Sequence, residues 1–140
     1  MLDGFATPEG TEFYAQEHSS FHYGELNQSG LLVSQAGFGC YRVDATVTKH
    51  REALRRALVT GANLIDTSSN YADGGSEALI GAVLEDLASS GDIPRESVVV
   101  VSKVGYLQGQ NYELSQERKR RGSPFKELVL YADGLEHCIH

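Results

Sequence analysis

At 140 residues, 41% hydrophobic and 22% charged, the chain is long enough to bury one core and has the size of a single domain or a part of one. A net charge of −7 argues against general affinity for nucleic acid, and the absence of any apolar run near the ~18 residues of a bilayer span argues against a membrane segment. Met1-Leu2-Asp3-Gly4-Phe5 has no basic stretch or long apolar block, and Cys40 and Cys138 are far apart, so a cytoplasmic protein with reduced thiols is expected.

Residues 1–20 mix Gly, Pro, Ser, Glu and Gln without a lasting period and are expected to form a loosely held leader. Two short apolar runs, 21–26 and 31–34, flank the turn-prone Asn27-Gln28-Ser29-Gly30 and predict a β-hairpin. Residues 36–40 follow as a small-residue strand. Over 46–60 the apolar residues Val47, Ala53, Leu54, Ala57 and Leu58 fall on one side at helical spacing, with Gly61 placed as a C-terminal cap. Leu64-Ile65 begins a short strand that stops at Asp66-Thr67 and shows no polar alternation, as expected of a strand covered on both faces. A second helix opens at Ser76, carries a stripe of Leu79, Ile80, Val83, Leu84 and Leu87, and breaks at Ser89-Ser90-Gly91. The β-branched run 98–101 is typical of the interior of a parallel sheet. Beyond Lys103 the alternation fails: 105–125 reads as a long polar loop, 128–131 as a short strand, and no amphipathic helix is expected between Lys103 and His140.

Strand, helix, strand, helix, strand is the order of a βα-repeat protein. Within it, Asp66, Tyr71 and Lys103 each fall just past an apolar run, where a buried strand hands over to a loop and where α/β proteins place their chemistry. Each alone has an ordinary structural explanation as a cap, a packed ring or a solvated amine; the combination is informative. Gly37 and Gly39 lack the third glycine of a dinucleotide fingerprint, which disfavours a Rossmann site.

Several motifs at characteristic spacing carry a resemblance. Gly37-Phe38-Gly39-Cys40-Tyr41 follows a hairpin; Gly61-Ala62-Asn63-Leu64-Ile65-Asp66-Thr67-Ser68 precedes Tyr71; then come Gly75-Ser76-Glu77, Ile80-Gly81 and Val101-Ser102-Lys103. From about residue 21 to residue 106 the chain resembles the aldo/keto reductases, NAD(P)H-dependent oxidoreductases built on a (β/α)8 TIM barrel. The resemblance implies an α/β fold: the N-terminal portion of such a barrel, preceded by a β-hairpin and incomplete in this chain, with 1–20 as leader and 21–140 as partial barrel. It implies NADPH or NADH as cofactor and a small carbonyl compound as substrate. By motif match Tyr71 is the general acid, Lys103 the group that tunes it and Asp66 the partner of the lysine. Gly39, Cys40, Tyr41 and Asp66 would line part of the cofactor floor. The chemistry is coherent, because a phenol of pKa ~10 is a poor acid near neutrality until a neighbouring ammonium stabilises its anion.

The chain departs from the family pattern after Lys103. Family members complete the site with a histidine at the end of a fourth strand; His140 lies at a suggestive distance, but no apolar strand is expected before it. A (β/α)8 barrel needs eight strand-helix units and typically ~250 residues, so the expectation is an N-terminal part of a reductase, not competent alone and inclined to self-associate through open sheet edges. A non-enzymatic binding or regulatory module on the same scaffold is the alternative, and a chain that completes its site with His140 and a partner chain is a third possibility. His137-x-x-His140 with Cys138 lacks a second ligand pair, so no metal site is expected, and the basic cluster Arg118-Lys119-Arg120-Arg121 reads as solvated loop.

Overall fold

A computed structural model describes residues 3–103 and 109–122, together with the backbone of 127–130 and 136–139. Its centre is a parallel sheet of three strands, β3 (Phe38–Gly39), β4 (Leu64–Asp66) and β5 (Val99–Val101), in that spatial order. Two helices make the crossovers: α2 (Thr48–Thr60) joins β3 to β4, and α3 (Gly75–Ser90) joins β4 to β5. The helical stripes read from the sequence form one core: Leu54 and Leu58 of α2 and Leu79, Ile80, Val83, Leu84 and Leu87 of α3 bury against Ile65 and Val98. A fully buried leucine or isoleucine here contributes about 2–3 kcal/mol by removal from water. On the outer side, Arg51–Asp86 and Arg55–Asp92 ion pairs link α2 to α3 and the turn after it. Exposed pairs of this kind add little stability. The helix α2 ends at Gly61, whose φ of +126° and whose position against the Phe21 ring leave no room for a side chain.

Two further strands, β1 (Tyr23–Glu25) and β2 (Leu32–Ser34), form the expected antiparallel hairpin. It is fixed to the sheet by Asn63, which is fully buried and satisfied at every polar group. The Asn63 amide donates to the carbonyls of Leu32 (3.0 Å) and Ser97 (3.1 Å), and its Oδ1 accepts from Ser34 N (2.8 Å). Its own backbone N–H donates to Ser34 Oγ (3.1 Å). Because Asn63 precedes β4 and Ser97 precedes β5, the hairpin sits at the N-terminal ends of these strands, opposite the ends that carry Asp66 and Lys103.

The structure corrects two expectations. Within 1–20, expected to be a loose leader, lies a ten-residue helix, α1 (Pro8–Glu17). Thr7 caps it by accepting from Gly10 N (3.0 Å), and Pro8 occupies the first turn, where its missing N–H costs nothing. Tyr14, 3% exposed, donates its hydroxyl to the Leu58 carbonyl at the end of α2, and Ser97 Oγ donates to the Gly10 carbonyl (3.1 Å). No long stripe betrays this helix because only Thr11 and Tyr14 are buried on it.

Likewise, the expected loop 105–125 contains a helix, α4 (Gly109–Arg120), and residues 104–108 and 123–126 lie outside the described residues. This helix is polar, with Tyr112 and Leu114 exposed; Glu117 pairs with Arg120 (2.5 Å) and Arg121 (2.7 Å). The basic residues of its last turn complement the helix dipole. The expected strand near 128–131 is β6 (Glu127–Leu130), paired antiparallel with β7 (Glu136–Ile139), a strand the sequence did not suggest; His140 and Tyr131 lie outside the described residues.

Two substitutions probe this scaffold. Asn63→Ala removes a buried hub and strands several partners, and should cost about 3 kcal/mol of unfolding free energy in urea titration; a loss below 0.5 kcal/mol would contradict its role. Tyr14→Phe deletes one buried hydrogen bond and should cost about 1 kcal/mol in the same measurement while leaving the helical circular-dichroism signal in place.

Candidate active site

Parallel pairing sets the geometry. Gly39 lies opposite Asp66, and Asp66 opposite Val101, so the three strands end in line. The ladder extends one step further: Cys40 N donates to the Asp66 carbonyl and Thr67 N to the Val101 carbonyl, both at 2.8 Å. Lys103, two residues past the end of β5, therefore emerges beside Asp66. Its ammonium donates to Asp66 Oδ1 (2.6 Å) and to the Thr67 carbonyl (2.8 Å). The same ammonium lies 5.3 Å from the centre of the Tyr71 ring. Asp66, Tyr71 and Lys103 thus meet at one mouth of the sheet. The Lys103 and Asp66 side chains are 46% and 54% exposed. The hydrogen bond to Asp66 holds the lysine above its ordinary pKa against partial desolvation, with the charge of Asp66 and the Tyr71 phenol adding in the same direction.

Tyr71 reaches this position on a turn of unusual conformation. Its N–H donates to the Ser68 carbonyl (3.1 Å), and the next residues, Ala72 and Asp73, have φ of +50° and +51° before Gly74 at +90° leads into α3. Left-handed backbone at Ala72 is strained by about 1 kcal/mol and is held by the surrounding structure. Tyr41 meets the Tyr71 ring edge-on, with centroids 5.3 Å apart and planes at 86°.

The expected cofactor-floor residues divide into two kinds. Gly39 opens onto free space, since a Cβ there would meet nothing within 4 Å, and Tyr41 is 71% exposed. Cys40 is fully buried, its thiol pushed up by burial, so only its backbone is available at the floor. Asp66 stands beside them through the Gly39 pairing.

A hydroxyl network supports the mouth that motif reading did not assign. Thr67 Oγ1 and Ser76 Oγ are 2.8 Å apart and buried, and Ser76 Oγ donates on to the Cys40 carbonyl (3.4 Å). Ser68 and Ser69 donate their hydroxyls to the Lys103 carbonyl at 3.2 and 3.3 Å, and Ser102 donates to Glu77 at 2.6 Å. The signal available in the sequence was the density of hydroxyls directly after Asp66. A cavity of about 600 Å³ lined by His18, Glu52, Arg55, Arg56, Val59, Asp92 and Ile93 shares none of these residues. Two of its charges, Arg55 and Asp92, pair with each other. Among the described residues no group of three or more His, Cys, Asp or Glu could hold a metal ion, and no helix is long and apolar enough to cross a membrane.

The model of the aldo/keto reductase family matches residues 37–122. The chain is 29% identical over 85 residues to the 4-dihydromethyl-trisporate dehydrogenase of Mucor mucedo, covering 61% of the chain and 25% of that protein. It is 32% identical over 76 residues to the NADPH-dependent D-xylose reductase of Candida boidinii, covering 54% of the chain and 22% of that protein. The chain therefore spans about a quarter of the length of these curated relatives.

Among solved structures it resembles the aldo-keto reductase AKR11C1 of Bacillus halodurans in its holo form, with a TM-score of 0.55, 24% identity and coverage of 74% of this chain and 36% of that one. It also resembles the thermostable aldo-keto reductase Tm1743 in complex with the inhibitor epalrestat, with a TM-score of 0.52, 26% identity and coverage of 76% and 40%. The three-stranded sheet with its crossover helices is thus part of a TIM barrel that does not close within the described residues. With the family match extending over more than half of the sequence, the chain belongs to the aldo/keto reductase family.

Proposed function

We propose that this chain carries the proton-donating half of an NAD(P)H-dependent carbonyl reductase site. The observation that supports the reading is the Lys103 ammonium bound to the Asp66 carboxylate (2.6 Å) and lying 5.3 Å from the centre of the Tyr71 ring. Reduction of a carbonyl adds hydride at carbon and a proton at oxygen, and the barrier falls when the developing alkoxide meets a ready donor. Tyr71 donates its phenolic proton to that oxygen. Lys103 stabilises the tyrosinate that remains, and Asp66 keeps the lysine charged and oriented.

The open space above Gly39, beside the Cys40 backbone, Tyr41 and Asp66, is where the flat edge of a nicotinamide would lie. Bound there, NADPH or NADH would supply the hydride. The substrate is a small carbonyl compound entering over Tyr41 and Tyr71. Among the described residues β3 and β5 each pair on one side only, and three parallel strands are fewer than the eight of a closed barrel. Turnover on this reading requires further strands and the histidine they carry, and the open edges favour self-association.

In a complete reductase carrying these residues, Tyr71→Phe and Lys103→Met should each lower turnover of a carbonyl substrate by about 10²-fold or more, followed as NADPH oxidation at 340 nm. Affinity for NADPH in fluorescence titration should remain within about twofold, because neither side chain is assigned to binding. Loss of cofactor binding in Tyr71→Phe, or full activity in either variant, would refute the assigned roles.

A further inference from the structure

Lys103 presents three N–H donors and gives two of them to Asp66 Oδ1 at 2.6 Å and the Thr67 carbonyl at 2.8 Å, with the centre of the Tyr71 ring 5.3 Å from its nitrogen. The carboxylate and the phenol belong to the proposed chemistry. The carbonyl between them comes from a residue with no assigned role, and its direction is unusually well determined. Thr67 is 1% exposed. Its N–H is fixed to the Val101 carbonyl (2.8 Å), and its hydroxyl is bonded to Ser76 Oγ (2.8 Å), itself fully buried at the start of α3. Since Ser76 donates on to the Cys40 carbonyl, the consistent arrangement is Thr67 hydroxyl to Ser76 hydroxyl to the backbone after β3. The N–H and the side chain on either side of the Thr67 Cα are therefore held, by β5 and by α3, and the carbonyl leaves that fixed centre.

We propose that Thr67 is a positioning residue for Lys103: its buried hydroxyl, tied to Ser76, aims its own main-chain carbonyl at the ammonium and leaves the third N–H for Tyr71. The inference rests on the reductase reading for its purpose, though not for its geometry. An ammonium bound to a half-exposed carboxylate alone is free to swing about that contact, because a carboxylate accepts from a broad range of directions and both side chains face water. A second, main-chain acceptor fixed by buried partners removes that freedom and directs the remaining proton at the phenol.

The test uses this chain with its lysine side chains 15N-labelled; Lys49, Lys103, Lys119 and Lys126 are its lysines, and Lys103→Met assigns the signal. In Thr67→Val, which keeps the branched shape and deletes the hydroxyl, the Lys103 Nζ titration should move to lower pH, whereas Thr67→Ser, which keeps the hydroxyl, should restore it. Ser76→Ala, which leaves Thr67 in place and removes its partner, should move the titration in the same direction, and it decides the matter if Thr67→Val does not fold by circular dichroism. A Lys103 titration in folded Thr67→Val that coincides with the wild type, or one that Thr67→Ser fails to restore, overturns the proposal. NADPH titration and carbonyl reduction are measured separately: their absence in a completed barrel refutes the reductase reading alone, and an unmoved Lys103 titration refutes the positioning role alone.

Discussion

The site depends on strand register. In a parallel pair every residue faces a fixed partner, and the pairing of Gly39 with Asp66 and of Asp66 with Val101 brings three separated segments to a common end. A slip of one residue between β4 and β5 would turn the side chains of one strand to the opposite face and carry Lys103 away from Asp66. Register in turn is set by the fully buried Ile65 and Val98 and by the contacts of Asn63 at the far end of the same strands. The polar hub at the bottom of the sheet and the charged cluster at the top are two ends of one constraint.

That separation follows the physics of each end. At the bottom, Asn63 is buried with its donors and acceptors paired, which makes it a specific fastener whose loss is costly. At the top, the Lys103–Asp66 pair is about half exposed, a setting in which ion pairs add little to folding. On the proposed reading its value is in charge placement beside the Tyr71 ring. The strained turn at Ala72 and Asp73, which presents Tyr71, is found at the same end. The rigid floor carries the stability that permits this arrangement above it.

Much of this was legible in the sequence, and the reasons are specific. Helices α2 and α3 declared themselves because Leu54, Leu58, Leu79, Ile80, Val83, Leu84 and Leu87 repeat at helical spacing, and β5 because three valines in a row suit a strand covered on both faces. Asp66, Tyr71 and Lys103, singled out by their places after apolar runs and by the family resemblance, lie together at one end of the sheet. Helix α1 escaped because two buried residues make no stripe, although Thr7-Pro8-Glu9 is a capping signal in its own right. Helix α4 escaped because charge pairs around Glu117 support it in place of apolar packing. Composition could not reveal that Cys40 turns inward, since β3 is two residues long and has no alternation to read. The hydroxyls of Thr67 and Ser76 were visible as residues, but their meeting is a tertiary fact.

The docking of α1 has a consequence for how the chain acquires its structure. The helix is anchored to residues far along the chain: Thr7 N donates to the Glu96 carbonyl (3.0 Å), and the Ser97 hydroxyl reaches Gly10 across 87 positions. Contacts of such long range lower folding rates because loop-closure entropy must be lost before they form. During synthesis α1 precedes every element it packs against, and its N-terminal end has no fastening until the turn before β5 has also emerged. The helix is thus secured in two stages: the Tyr14 face docks once Tyr23 and the end of α2 are made, and the Thr7–Gly10 end is fastened only when the segment before β5 arrives.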